Sequence, residues 1–372
     1  MSGSMARKAA LGVALALAAA LCGCRREQPA QEQPPEQAAP TGKIKVAMLE
    51  GIRGVDNAEA RKQGFLKAMS EHEAEIEVAA MDTANWMLEQ GEQVCANMLT
   101  AHPDIKGIFC ANDMMALGAI KAIEAAGKAG EVVVCAYDNI KAAQEALLAG
   151  TLAATIEQHP YFMGNFGVAA AIMTLEGGDV PQEIEVPVEL ITKEVLLKQR
   201  EEFSDAEDVT LAVERAAVGE ARKKALGEVP EPSRRYRIGL IMKTLSNPFF
   251  TMMQRGAEDA AAEFGVELIV QSAEKETDFD QQADIVRSMV AQGVDAILIA
   301  PADSKALVGP LLEANSAGIP VLNLDNRLDP DTVRERGLEL VTFIGPDNVQ
   351  GAYLSSKYMA EQLVGGTEQE ES

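Results

Sequence analysis

The chain has 372 residues, a formal net charge of −24 and only 4% aromatic residues. That length leaves room for two domains of ordinary size, and an acidic balance with no basic patch argues against nucleic acid as a partner. The three histidines, His72, His102 and His159, are widely spaced, with no Cys or His at metal-ligand spacing. The residues therefore offer no zinc site, no other cofactor site and no Cys/His or Ser/His pair for nucleophilic catalysis.

In chain order, Arg7 and Lys8 precede an apolar run from Ala9 to Leu21. The run is too short to span a bilayer as a helix but suits the core of a signal peptide. It ends Leu21-Cys22-Gly23-Cys24, which resembles a bacterial lipobox with Cys24 as the lipidated residue. An ordinary signal peptide with a Cys near its end is the alternative. Several acyl chains on one Cys would give stable membrane anchoring. Residues 25–42, rich in Pro, Gln and Glu, read as a disordered tether. The remaining cysteines, Cys95, Cys110 and Cys135, are odd in number and sit in apolar surroundings, so buried thiols are expected in place of a disulfide framework.

From Ile44 the segments KVAML, IEVAAM, IKGIFCAN, VVVCAYD and AATIEQ read as buried strands, separated by helices such as AEARKQGFLKAMSEH and MMALGAIKAIEAAG. The alternation recurs after Arg234 with RIGLIMK, ELIVQSA, AILIAP, PVLNLD and VTFIG. The predicted fold is therefore α/β, with two doubly wound parallel-sheet lobes. EAAGKAGEVVVCAYDN and ANSAGIPVLNLDN echo one another, as two similar lobes would. Residues 197–234 are charged, poor in strand formers and closed by two prolines, which predicts a surface helix plus linker outside both sheets.

Open parallel sheets bind ligands beyond the carboxyl ends of their strands. There the sequence collects Arg61, Trp86, Asn112, Asp138, Gln158, Lys243, Asn247, Phe249, Phe250 and Asp325. Carboxylates and amide oxygens accept hydroxyl protons, Lys and Arg donate, and aromatic rings cover the apolar faces of a sugar. No Gly-rich phosphate loop is present, which argues against nucleotides. Each residue also has a structural explanation. Asn247 before Pro248 suits a helix N-cap, as do the positions of Asn112 and Asp138. Arg61 suits a solvated helix face and Trp86 a core position. Lys243 resists such a reading, because a charge closing a buried strand needs a partner, and Asp325 could supply it.

The motifs LIMKTLSNPFF, PVLNLDNRLD, FIGPDNVQGAY, EGIRGVDNAEARKQGF, FCANDMMALGAI and ATIEQHP, taken together, resemble the ribose/allose group of type I periplasmic binding proteins. The resemblance runs from Lys43 to Gly366 except for 197–234. It implies two lobes joined by a hinge and a monosaccharide site lined by the ten residues above, with Trp86 and the Phe249/Phe250 pair sandwiching the ring. Phe250 stands where allose binders have Trp, and Asn326-Arg327 replaces an acidic–basic pair, which leaves the sugar open between allose-like and ribose-like aldopyranoses.

In that group LIMKTLSNPFF opens the mature chain. Here it follows VPVELITKEVL, which resembles the family's C-terminal strand, so the chain resembles a circular permutant. The expected organisation is a leader over 1–24, the tether over 25–42, lobe A over 44–158 and 188–196, and lobe B over 159–187 and 235–366. Residues 197–234 rejoin the family's old termini, the cut falls at a hinge crossing and two crossings survive. The resemblance implies a monomeric, exported, lipid-anchored receptor that hands a sugar to an ABC transporter permease. A membrane histidine kinase or chemoreceptor is the alternative reader of the loaded form. A LacI-type regulator lacks its basic helix-turn-helix before Ile44, and an enzyme lacks catalytic groups.

Overall fold

The computed structural model describes residues 42–370, without the side chains of 366–370; the leader, Cys24 and the tether up to residue 41 lie outside the described residues. The chain runs β1 (Ile44–Glu50), α1 (Asp56–Ser70), β2 (Ile76–Thr83), α2 (Leu88–Ala101), β3 (Ile105–Cys110), α3 (Asp113–Ala125), β4 (Val133–Cys135), α4 (Lys141–Ala149) and β5 (Ala154–Glu157). Next come α5 (Pro160–Leu175), β6 (Glu183–Val186), β7 (Glu189–Thr192), α6 (Lys193–Glu202) and α7 (Val209–Leu226). The last part holds β8 (Arg237–Met242), α8 (Pro248–Phe264), β9 (Glu267–Ser272), α9 (Phe279–Gln292), β10 (Ala296–Ile299), α10 (Val308–Ser316), β11 (Val321–Leu324), α11 (Pro330–Arg336), β12 (Phe343–Pro346) and α12 (Asn348–Glu370).

The strands form two six-stranded sheets, ordered β2-β1-β3-β4-β5-β7 and β6-β12-β11-β10-β8-β9. Every pairing is parallel except β5 with β7. Helices cover both faces, so central strands such as β5, β10 and β11 are buried along their whole length. This is why they read as continuous apolar runs. In each sheet the order doubles back beside its first strand, between β1 and β3 and between β8 and β10, and this leaves a crevice at the carboxyl ends.

The two sheets exchange segments. VPVELITKEVL is split at Pro187 into β6, which pairs with β12, and β7, which pairs with β5. Helix α5 follows β5 of one lobe but packs on α8 and on β10, β11 and β12 of the other. Helix α12 does the converse: it packs on α1 and against β3, β4, β5 and β7. The expected extension of lobe B to residue 366 is thereby corrected, because α12 belongs to the β1–β5 lobe. The expectation of two surviving hinge crossings is corrected with it. The chain crosses between sheets from β5 to α5, from β6 to β7 and from β12 to α12, and the segment carrying α7 adds a further connection.

Helix α5 is apolar all round and buried from Pro160 to Met173. A helix covering one sheet face would normally keep a polar stripe. Here α8 and α7 cover the rest of it. The α5–α8 approach is close: a Cβ on Gly164 would lie 2.0 Å from Met253 O, and one on Gly256 1.9 Å from Tyr161 O. Cys95, Cys110 and Cys135 are free and buried. Among the described residues no helix is long and apolar enough to cross a membrane.

Candidate functional site

The carboxyl ends of the two sheets face each other across a small cavity. Nine of the ten expected residues line it: Arg61, Trp86, Asp138, Gln158, Lys243, Asn247, Phe249, Phe250 and Asp325, joined by Asn57 and Glu276. The lobes touch around it, since Asp56 N donates to Ser304 Oγ at 3.2 Å and Asn57 N donates to Asn326 Oδ1 at 3.3 Å.

On the β1–β5 side Arg61, 2% exposed, is fixed from several directions. Its Nε donates to Asn348 Oδ1 at 2.8 Å, one terminal nitrogen to Ala111 O at 2.8 Å, and the other to Gln158 Oε1 at 3.1 Å. The guanidinium lies 3.8 Å from the Tyr137 ring centroid and 3.4 Å from Asp138 Oδ1. Gln158 Nε2 donates to the same Asp138 oxygen at 2.6 Å. Trp86 packs over Gly51, where a Cβ would come within 2.1 Å of the indole.

On the other side Lys243 and Asp325, 2% and 1% exposed, form an ion pair of 3.0 Å. Asn247 caps α8, with Oδ1 accepting from Phe249 N at 3.1 Å while Nδ2 donates to Glu276 Oε1 at 3.0 Å. Pro248 at the first helical position and Gly265 in the left-handed region at the end complete the helix signals. Asn247 is thus both cap and cavity wall. Phe249 and Phe250 pack edge to face with centroids 5.0 Å apart.

Burial pushes the Asp138 carboxyl well above the ordinary range, against the pull of Arg61, and Glu276 and Asp325 add to the push. Glu276 is raised by burial too, with Lys243 opposing. Three carboxyl groups and two cations thus share the cavity wall. Two of its buried acceptors, Asn57 Oδ1 and Asp325 Oδ2, lack a hydrogen-bond partner; the latter touches Lys243 only as an ion pair. Buried polar atoms are seldom left unpaired. A ligand carrying several hydroxyl donors satisfies this wall, with the aromatic rings for its apolar faces.

Backbone strain gathers at the same place. Among the described residues the non-glycine positions with positive φ are Asn85, Trp86, Asp138, Asn139, His159 and Asp325, all at the cleft or at the β5–α5 crossing. Such conformations persist where the surroundings enforce them.

Asn112 is the exception among the expected residues. It caps α3, accepting from Met115 N at 2.9 Å, and its amide donates to Trp86 O at 3.3 Å. It is not among the residues that line the cavity, and its amide braces the Trp86 loop. Glu276 and Asn57 were not expected. Glu276 follows β9 as the other cavity residues follow their strands, and extending that rule to ELIVQSA would have reached it. Asn57 gave no signal, because its place in the first turn of α1 matters only once the lobes meet.

A family profile described as periplasmic binding protein domain matches residues 28–179 and 238–369. The chain belongs to this family. It is 39% identical over 151 residues to the D-ribose/D-allose-binding protein of Pseudomonas aeruginosa, covering 40% of this chain and 47% of that protein. It is also 39% identical over 150 residues to the ribose import binding protein RbsB of Escherichia coli, covering 40% and 50%. A crystal structure of an ABC transporter periplasmic solute binding protein from Actinobacillus succinogenes with bound D-allose aligns at 42% identity and a TM-score of 0.41, over 42% of this chain and 55% of that one. The chain spans about half the length of the curated relatives it matches.

Proposed function

We propose that the protein is an exported solute-binding protein that closes over one monosaccharide, an allose- or ribose-like aldopyranose, and delivers it unchanged to an ABC transporter. The observation that carries this reading is the cavity between the lobes, walled by Arg61, Asp138, Gln158, Lys243, Asn247, Asp325 and three aromatic rings, with the buried Asn57 Oδ1 left unpaired. Arg61, Asp138 and Gln158 hold one edge of the ring, and Lys243, Asn247 and Asp325 the other. Trp86, Phe249 and Phe250 cover its faces. The relatives named for ribose and allose support that class of ligand. Titration calorimetry with D-allose, D-ribose, D-glucose, D-galactose and myo-inositol tests it; silence across the whole panel sinks it.

Circular permutation belongs to the same proposal. The curated matches cover about half of each relative as one block, as expected when the other half is out of order. The two lobes also share one strand order, and each takes in the helix that follows the other's fifth strand, α5 and α12. A Cβ on Gly107 of β3 would lie 2.7 Å from Leu363 of α12 and 3.2 Å from Val46 of β1, so late α12 lies beside early β1. In the unpermuted order α12 leads directly into β1. The cut then lies inside the β1–β5 lobe, and lobe A comprises 44–158, 188–196 and α12. We further propose that Cys24 carries a lipid anchor; Cys24→Ser then releases the protein from the membrane fraction.

A further inference from the structure

Helix α7 has no counterpart in the shared strand order of the lobes, yet it lies on both of them. Arg215 donates through two nitrogens to the Asp259 carboxylate of α8 at 2.7 and 3.1 Å. Arg222 grips Glu263 of α8 and donates to Asn165 Oδ1 of α5 at 3.1 Å. These contacts fix α7 to the β8–β12 lobe. Its first turn reaches the opposite lobe: Gln144 Nε2 donates to Thr210 Oγ1 at 2.6 Å and lies 3.2 Å from Asn139 Oδ1. Asp208, Thr210 and Leu211 also roof a second cavity, which shares Asp138 and Phe249 with the ligand cavity.

Between these ends Glu214, 1% exposed, points into the β5–α5 crossing. Its Oε1 lies 2.6 Å from His159 Nδ1. His159 has a φ of +52°, stacks on Phe162 at 4.6 Å and stands next to Gln158 of the ligand cavity. From β5, Glu157 Oε1 accepts from His159 N at 2.7 Å and Oε2 accepts from Asn139 at 2.8 Å. A divalent metal could use Glu157, His159 and Glu214, but both Glu157 oxygens and His159 Nδ1 already have partners. The Nδ1–Oε1 contact makes a hydrogen-bonded ion pair, while His159 Nε2 and Glu214 Oε2 are buried without a hydrogen-bond partner.

We propose that Glu214 is a positioning residue for the ligand cleft: through His159 it ties α7 to the hinge, and α7 holds the lobes closed. This rests on the sugar-binding reading given above. An imidazolium at His159 stands between Glu157 on one lobe's strand and Glu214 on the helix carried by the other. While charged it bonds Glu214 and attracts Glu157 through space; once neutral it leaves the two carboxylates near each other in a low-dielectric site. Glu189 of β7 is the further charged group beside it, 3.9 Å from Nε2. Asp113 of α3 lies behind Glu157 and, like Glu157, is raised to about 7 by burial. Burial lowers the His159 pKa, but the hydrogen bond and charge of Glu214, with Glu157 and Glu189, outweigh it and raise it to about 9. The pairing of the raised imidazole with Glu214 is fully present below its free value of about 6.5 and is lost as pH rises through about 9, and Glu157 adds its charge to it only above about 7.

The full chain is compared as wild type, Glu214→Gln and Thr210→Val. Small-angle scattering without sugar measures opening, and calorimetry from pH 6 to 10 measures affinity for a sugar of the panel. Glu214→Gln is expected to enlarge the radius of gyration and to weaken affinity roughly tenfold near pH 7, within the usual range of coupling between sites. The fall of wild-type affinity near pH 9 moves to lower pH in this variant. Thr210→Val, which leaves the buried pair intact, shifts both readouts less and in the same direction, and it carries the test if Glu214→Gln does not fold. Unchanged dimensions and an unchanged pH profile in the folded variants overturn the inference. If the wild type binds no sugar, the sugar-binding reading fails, and the scattering comparison alone decides whether α7 holds the lobes.

Discussion

Substituting Gly51 by Ala isolates the part Trp86 plays. Gly51 is outside the positive-φ region, so its backbone accepts Ala without strain. The new methyl would stand 2.1 Å from two carbons of the indole. Ordinary carbon contact is about 3.5 Å, so the ring must retreat by roughly 1.4 Å. Trp86 is only 5% exposed, and the retreat forces its neighbours to repack at about 1–3 kcal/mol in folding stability. A displaced ring loses its proposed stacking on the sugar, about 0.5–1.5 kcal/mol, or roughly two- to tenfold in affinity. Trp86 is the sole tryptophan, so its fluorescence reports the site alone. Gly51→Ala should shift the emission to the red, lower the urea midpoint and weaken sugar binding in calorimetry. A variant with unchanged emission and unchanged affinity would refute the tight seating of Trp86 and its role as a platform.

Asp325→Asn leaves Lys243 buried without its closest counter-charge, and should cost about 3–5 kcal/mol in urea denaturation, reduced somewhat by the nearby Glu276; a loss below about 1 kcal/mol would show that the pair matters little. Thermal stability should peak at mildly acidic pH. Burial raises Asp113 and Glu157 to about 7, so ionising them costs stability as pH climbs from their free values through 7, and loss of the His159 charge adds to the decline through about 9. Calorimetric melting from pH 5 to 10 checks this, and a melting temperature that rises with pH across that range contradicts it. Burial lifts the Cys95 and Cys135 thiols to about 12 and Cys110 well above its usual value, so a thiol reagent at pH 8 should label none of them until the chain unfolds.

The sequence by itself determined the elements and most of the cavity wall, because those features are written over a few neighbouring residues. A strand such as VVVCAYD carries its own burial pattern. Asn247-Pro248 and Asn112 announce helix starts, and the residue after each strand end falls at the crevice of any parallel sheet. Lys243 and Asp325 could be paired from the cost of burying a lone charge. Tertiary packing decided the rest. Asn112 has the same residue type and strand-end position as the cavity-lining residues, and only the packing of the Trp86 loop sets it outside the wall. The lobe that α12 covers depends on α1 and on strands hundreds of residues away, and nothing local to FIGPDNVQGAY encodes it. Glu214 sits in a charged helix whose sequence reads as solvated. It is buried because α5 is apolar on all sides and needs a cover, and that cover brings a carboxylate onto His159. Local chemistry set which residues could act, and the meeting of distant segments set which of them do.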